Sequence, residues 1–181
     1  MASRYDDELW ELLPDGRRPP ADLAAWVGAL EPARHALDLG CGDGALSAAI
    51  RADRLALADV SAVALGRARA RLAAADAVEL EPDAPLPFDD GVFDLVVCTE
   101  TLEHVRDVQL LRSEVRRVLE PGGRLAVTTP AHGPLIAPPD PLSPHLRFFT
   151  RRSLRALLGH MGFDVRELSR RRGGLFALAS R

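Results

Sequence analysis

The chain has 181 residues, with 23 basic and 26 acidic side chains, a net charge of -3 and 47% hydrophobic residues. That suits one domain with a single sizeable core, and no apolar run approaches the roughly 18 residues a membrane span requires. All 23 basic residues are arginine, which excludes Schiff-base and phosphate-loop lysine chemistry. The near-balanced charge argues against general nucleic-acid affinity.

The acidic N-terminus MASRYDDELWELLPDG lacks the apolar core of a signal peptide, so a cytoplasmic protein is expected. Cys41 and Cys98 lie far apart and outside any CxxC pair, as expected of two free thiols in a reducing compartment.

Apolar strand-like runs alternate with Ala-, Leu- and Arg-rich helical patterns, which predicts an α/β fold. After the acidic segment, Pro19-Pro20 opens a helix through Trp26 and Leu30. His35 to Leu39 reads as the first strand, followed by DLGCGDG and a helix from Ala45 to Ala52. A second strand, Leu55 to Ala58, ends at Asp59, and Ser61 caps a helix to Ala74. Ala77 to Leu80 is a short third strand. The segment EPDAPLPFDDG, with Pro82, Pro85 and Pro87, excludes a helix, so a crossover helix is missing before the fourth strand, Phe93 to Cys98.

A helix from Asp107 to Leu119 stops at Pro121-Gly122-Gly123, and Arg124 to Thr129 is the fifth strand. Pro130 to Phe149 is proline-rich and aperiodic, a long surface loop of the kind that carries function. Thr150 caps a last helix to Met161, which Gly162 breaks. Phe163 to Leu168 and Leu175 to Ala179 then pair antiparallel around Arg170-Arg171-Arg172-Gly173-Gly174, giving seven strands.

The strand, Gly40-x-Gly42-x-Gly44, helix arrangement brings backbone amides close to a ligand. Asp59, nineteen residues after Gly40 at the end of the second strand, is placed to accept hydrogen bonds from a ribose diol. A glycine turn that merely joins strand to helix is the plain alternative. Four segments in order decide between them: ALDLGCGDG, LADVSAVALGRAR, PDAPLPFDDGVFDLVV and LEPGGRLAVTTP. With these, the chain from Ala36 to Ser180 resembles the class I S-adenosylmethionine-dependent methyltransferases of the type 11 kind.

The resemblance implies a Rossmann-like seven-stranded sheet, order 3-2-1-4-5-7-6 with strand 7 antiparallel, between helices on both faces in a three-layer sandwich. It implies S-adenosylmethionine as cofactor. Asp38, Gly40 and Gly42 would line its methionine part, Asp59 and Val60 its ribose, and Asp83 and Ala84 its adenine, with Thr99 near the sulfonium and Cys41 among the cofactor-binding residues. Because that sulfonium already carries an activated methyl group, the protein need only align an acceptor and exclude water. A hydroxyl acceptor also requires a base or a metal to take its proton.

Directly after the fourth strand comes Glu100-Thr101-Leu102-Glu103-His104, at the sheet end where ligands gather. Turned helically, Glu100, Glu103 and His104 would share a face, with oxygen and imidazole donors spaced for a cation, and His145 could supply a fourth ligand. This pattern resembles the ubiquinone-pathway O-methyltransferases and the small-RNA 2'-O-methyltransferases, whose His five residues before a Thr matches His145 before Thr150. The Arg, His and Asp context of the RNA enzymes is incomplete here and their further domains are missing. Three readings stay open: a divalent metal at Glu100, Glu103, His104 and His145; a metal-free site with His104 and Glu103 catalytic; or a structural loop. The first two conflict at His104, since a metal-bound imidazole nitrogen is no base.

Tyr5 or Trp10 is a candidate for a lid over the cofactor, and His132 could touch substrate or be a solvated loop residue. Arg170 to Arg172 read as a solvated turn, His35 and His160 as structural, and Cys98 as an inert core residue.

The expectation is one methyltransferase domain, residues 1-181, with an N-terminal helical lid (1-30) and a substrate loop (131-149), working as a monomer or homodimer. It would methylate a hydroxyl of a small molecule, a sugar, phenol or quinone-like acceptor, without DNA, membrane or RNA partners. Rival readings are a metal-dependent RNA 2'-O-methyltransferase-like enzyme, a catalytically silent cofactor-binding subunit and a nicotinamide-dependent oxidoreductase. GxGxG and Asp83-Ala84 disfavour the last.

Overall fold

The computed structural model describes residues 2–131, 145–171 and 173–181. Its sheet is built from β1 (Ala33–Leu39), β2 (Ala52–Asp59), β3 (Asp76–Glu79), β4 (Phe93–Thr99), β5 (Leu119–Pro130), β6 (Asp164–Arg171) and β7 (Gly174–Ser180). The order is β3-β2-β1-β4-β5-β7-β6. β7 runs antiparallel to both β5 and β6, whereas the pairs from β3 through β5 are parallel. The expected seven-stranded α/β fold is therefore the one observed.

The two-residue period of the strands sorts their side chains onto two faces. Leu37, Leu39, Val96, Cys98, Leu125, Val127, Leu175 and Ala177 point to one face, beneath α4 (Val108–Val118) and α5 (Arg151–His160). The intervening Ala36, Leu95, Val97, Ala126 and Phe176 face α2 (Ala21–Gly28), where Trp26 meets Phe176 edge-on at 5.2 Å between ring centroids. On that same face Leu57 packs under Leu65 and Ala68 of α3 (Ala62–Arg71). Three layers result.

Local chemistry places several boundaries as expected. Thr150 caps α5 in a reciprocal box with Ser153, and Ser61 caps α3 through the Ala64 amide. No helix intervenes between β3 and β4. His35 and His160 are structural: their Nδ1 atoms lie 3.1 Å from the Val92 carbonyl and 2.7 Å from the Ala156 carbonyl.

The helix expected from Ala45 to Ala52 is instead a single 3-10 turn, Ser47–Ala49. β2 extends back to pair Ala52 with Ala33, leaving too few residues for a crossover helix, and the Ser47 hydroxyl is held by Asp38 at 2.5 Å. Tertiary pairing overrides the helical propensity of alanine here. α3 also stops at Arg71, short of Ala74. Of the N-terminal helices, only α1 (Ala2–Leu12) lies at the functional cavity; Leu23, Trp26 and Val27 make α2 part of the core.

Candidate functional site

A cavity of about 350 Å³ opens at the C-terminal ends of β1, β2 and β4, the edge where open α/β sheets take their ligands. Its walls bring together Gly40, Gly42, Asp59, Val60, Asp83, Ala84, Glu100 and His104, drawn from four separate stretches of chain. Its volume lies in the range of small-molecule sites.

The floor is the loop after β1. Gly40 and Gly42 have φ of +77° and +53°, which L side chains rarely adopt. A Cβ on Gly40 would collide with the Thr101 side chain, and one on Gly42 would stand 2.7 Å from Trp10 Cζ2. The amides of Gly40 and Cys41 are tied to the Ala58 carbonyl, which fixes the loop against β2. Asp59 then clamps it from the side: Oδ2 accepts from the Gly42 amide at 2.8 Å and Oδ1 from the Ser61 amide at 3.0 Å.

Asp38, Cys41 and Thr99 lie outside the cavity walls. The Cys41 side chain is buried with Leu57, Leu65 and Ala68, while Thr99 is buried and its carbonyl accepts from the Thr101 hydroxyl at 2.9 Å. Thr101 occupies the wall instead. Asp38 is buried beneath the loop with Oδ1 unpartnered, and burial pushes its carboxyl up to about 7.

A raised carboxyl has a definite consequence for stability. As pH rises from about 4 through about 7, the unfolded chain gives up this proton first, so the folded state loses stability across that window. Asp38→Asn does not titrate, and its stability relative to wild type is expected to rise over the window by up to about 4 kcal/mol. Thermal unfolding of both proteins near pH 5 and near pH 8 measures this; a pH-independent difference would refute it.

Beyond β4 the chain does not turn helically. Glu100 adopts φ +50°, and its Oε1 accepts from the Thr128 hydroxyl at 2.8 Å. Glu100 therefore leaves the face it was expected to share with Glu103 and His104. The donor atoms of Glu103, His104 and His145 do converge, all within 4.8 Å of one another. Glu103 is buried; Oε2 accepts from the Thr129 hydroxyl at 3.0 Å, and Oε1, without a hydrogen bond, lies 4.0 Å from His104 Nε2. Burial pushes the Glu103 carboxyl up to about 7. Burial and the neighbouring His104 hold His145 below the ordinary imidazole range.

Residues 145–149 of the expected substrate loop are fastened to this corner; 132–144, including His132, lie outside the described residues, as does Arg172. The Leu146 amide donates to the Glu103 carbonyl at 2.8 Å, and the Arg147 guanidinium donates to the carbonyls of Leu102, Val105 and Arg106. Sequence reasoning missed Arg147, and nothing in its local pattern marks it. It named Trp10 but not Asp6, Leu9 and Leu13, which recur with it at helical spacing and line the wall. Trp10 lines the cavity with its ring against Gly42; the side chain of Tyr5 lies outside the described residues.

The fold is the Rossmann-like α/β sandwich, with its cavity at the C-terminal ends of the parallel strands. Residues 37–127 match the family model described as methyltransferase domain. The chain belongs to the S-adenosylmethionine-dependent methyltransferases. It is 40% identical over 131 residues to a demethylmenaquinone methyltransferase of Clavibacter sepedonicus, covering 70% of this chain and 49% of that one. It is 30% identical over 140 residues to a ubiquinone biosynthesis O-methyltransferase of Ralstonia nicotianae, covering 71% and 57%. A chain from a Haloferax volcanii complex between a methyltransferase activator and a methyltransferase shares the fold, with TM-score 0.75 at 19% identity over 88% of this chain and 87% of that one. This chain spans about half the length of the curated relatives it matches.

The residues present fit the family's cofactor. The positive-φ glycines let Thr101 and Trp10 pack where no Cβ fits, which keeps the loop backbone at the cavity wall, and the walls carry Asp6, Asp59, Glu81, Asp83, Glu100, Asp107 and Glu114 against only Arg106 and His104. Such a wall suits a ligand with cationic sulfonium and ammonium groups.

Proposed function

We propose that the chain transfers the methyl group of S-adenosylmethionine to a hydroxyl of a small aromatic acceptor, of the phenol or quinone-like kind, with His104 as base. The observation that carries this reading is the continuity of one cavity from Gly40, Gly42 and Asp59 through Asp83 and Ala84 to the imidazole of His104. The cofactor supplies the activated methyl group. Gly40 and Gly42 would receive its methionine part, Asp59 and Val60 its ribose, and Asp83 and Ala84 its adenine. α1 shields the centre from water, which strengthens every charge interaction inside. His104 takes the acceptor's proton, and Glu103, held by Thr129, stabilises the imidazolium that forms. The names of the two quinone-pathway relatives support the acceptor class. A cytoplasmic location agrees with this reading, and no helix among the described residues is long and apolar enough to cross a membrane.

A divalent metal is the second reading, favoured by the convergence of Glu103, His104 and His145. These three would hold it, and it would lower the pKa of the acceptor hydroxyl.

Calorimetry with S-adenosylhomocysteine, followed by mass-spectrometric screening of phenols, quinols, sugars and short RNAs with and without chelator, tests both readings. Binding plus methylation of a small hydroxyl compound in excess chelator is the expected result. Loss of turnover on chelation with cofactor binding retained would establish the metal, and methylation of RNA would replace the acceptor class. Binding without any turnover would identify a silent subunit, and binding of NADH alone would overturn the reading altogether.

A further inference from the structure

α1 turns Asp6, an acid without a hydrogen bond or ion pair among the described residues, towards the cavity. Its neighbour Asp7 does the fastening: Asp7 Oδ1 accepts from the Ser61 hydroxyl at 2.6 Å and from the Val63 amide at 3.2 Å, which docks α1 on the start of α3. Arg67 secures the following turn, donating to the Leu13 carbonyl at 3.0 Å and pairing with Asp15 at 2.8 Å. The helix is therefore held in place without Asp6.

Most other cavity carboxylates are engaged. Asp59 accepts from two amides, Glu100 from Thr128, Asp107 from the Leu110 amide that it caps, and Glu114 from Arg117 and the Leu86 amide. Asp6 makes no hydrogen bond or ion pair among the described residues, yet it is partly buried in the cavity wall. Its charged surroundings are His104 and Arg106, which attract, and Asp7 and Asp59, which repel. A desolvated carboxylate that returns nothing to the fold is placed for a cationic ligand.

Its position follows from those neighbours. Asp6 lies within electrostatic reach of both His104 and Asp59, in the wall of the cavity that Gly40 and Gly42 also line, and Trp10 of the same helix packs against Gly42. A cofactor running from the Gly40–Gly42 floor past Asp59 to Asp83 would carry its sulfonium between these groups. We propose that Asp6 is a charge-reading residue of the lid, whose carboxylate stabilises the sulfonium of S-adenosylmethionine but gains nothing from the neutral thioether of S-adenosylhomocysteine. α1 then closes preferentially over the methyl donor and relaxes once the charge has left with the methyl group. A ligand shifts a conformational equilibrium only by its differential affinity for the two states, and the sulfonium charge supplies that difference. The inference rests on the methyl-transfer reading above.

The test is calorimetric titration of the whole chain with S-adenosylmethionine and, separately, S-adenosylhomocysteine, for wild type, Asp6→Asn and the uncharged lid control Leu9→Ala. Asp6→Asn is expected to weaken S-adenosylmethionine binding about fivefold to tenfold and S-adenosylhomocysteine binding less than about twofold. Leu9→Ala should weaken both alike. The ratio of the two constants is independent of the folded fraction, so partial unfolding of a variant does not blur the outcome. An unchanged ratio in Asp6→Asn overturns the role of Asp6 while leaving the methyl-transfer reading intact. Wild type that binds neither compound overturns both.

Discussion

Replacing Asp59 with Ala is expected to raise the dissociation constant for S-adenosylmethionine by about 100-fold or more. Two losses combine. The carboxylate that would accept from the ribose diol disappears, and so do the acceptors for the Gly42 and Ser61 amides, at 2.8 and 3.0 Å. Gly42 belongs to the loop proposed to receive the methionine part, so removing its clamp would loosen a second part of the same site. A charge-assisted hydrogen bond contributes about 1.5–3 kcal/mol, and two of them reach the stated factor. Asp59→Asn, which keeps one acceptor oxygen, should fall between Ala and wild type. Calorimetry with S-adenosylhomocysteine gives the same ranking directly; an unchanged constant in Asp59→Ala would place the ribose elsewhere.

His104→Ala should lower kcat by about 100- to 10,000-fold, the usual contribution of a positioned base, while cofactor affinity stays within about twofold. His145 separates the two readings of this corner. If His104 acts as the base, His145→Ala leaves most of the turnover and chelators have no effect. If Glu103, His104 and His145 share a cation, His145→Ala is as damaging as His104→Ala, and added divalent metal partly restores it. Single-turnover assays on the two variants, with and without chelator, distinguish these outcomes.

Much of this was legible in the residues. Alternating apolar runs and glycine turns are local signals, and they locate all seven strands because strand period and turn chemistry act over a few residues. The caps Ser61 and Thr150 are equally local. Gly40, Gly42, Asp59, Val60, Asp83 and Ala84, chosen from three short segments, meet around one cavity, because β1, β2 and β3 all end at the same edge of the sheet.

Other features were decided by contacts distant in sequence. The alanine-rich stretch after Gly44 has helical propensity, but the pairing of Ala52 with Ala33 leaves it one 3-10 turn. Glu100 has the right spacing for a shared face, yet its positive φ and its bond to Thr128 carry it away. Cys41 lies inside the glycine motif, but its side chain turns into the α3 core.

By itself, the sequence determined the fold, the family and the segments that meet at the cavity, because periodicity, turn chemistry and motif spacing are written within short windows. Only the tertiary structure decided that α1 lines the cavity while α2 is core, that Glu103, His104 and His145 converge, and that Asp6 faces the cavity while Asp7 latches the helix. Those outcomes depend on pairings such as Asp7 with Ser61 and Glu103 with the Leu146 amide, between residues tens of positions apart. Closing such loops is settled by the packing of the whole chain and not by any local preference.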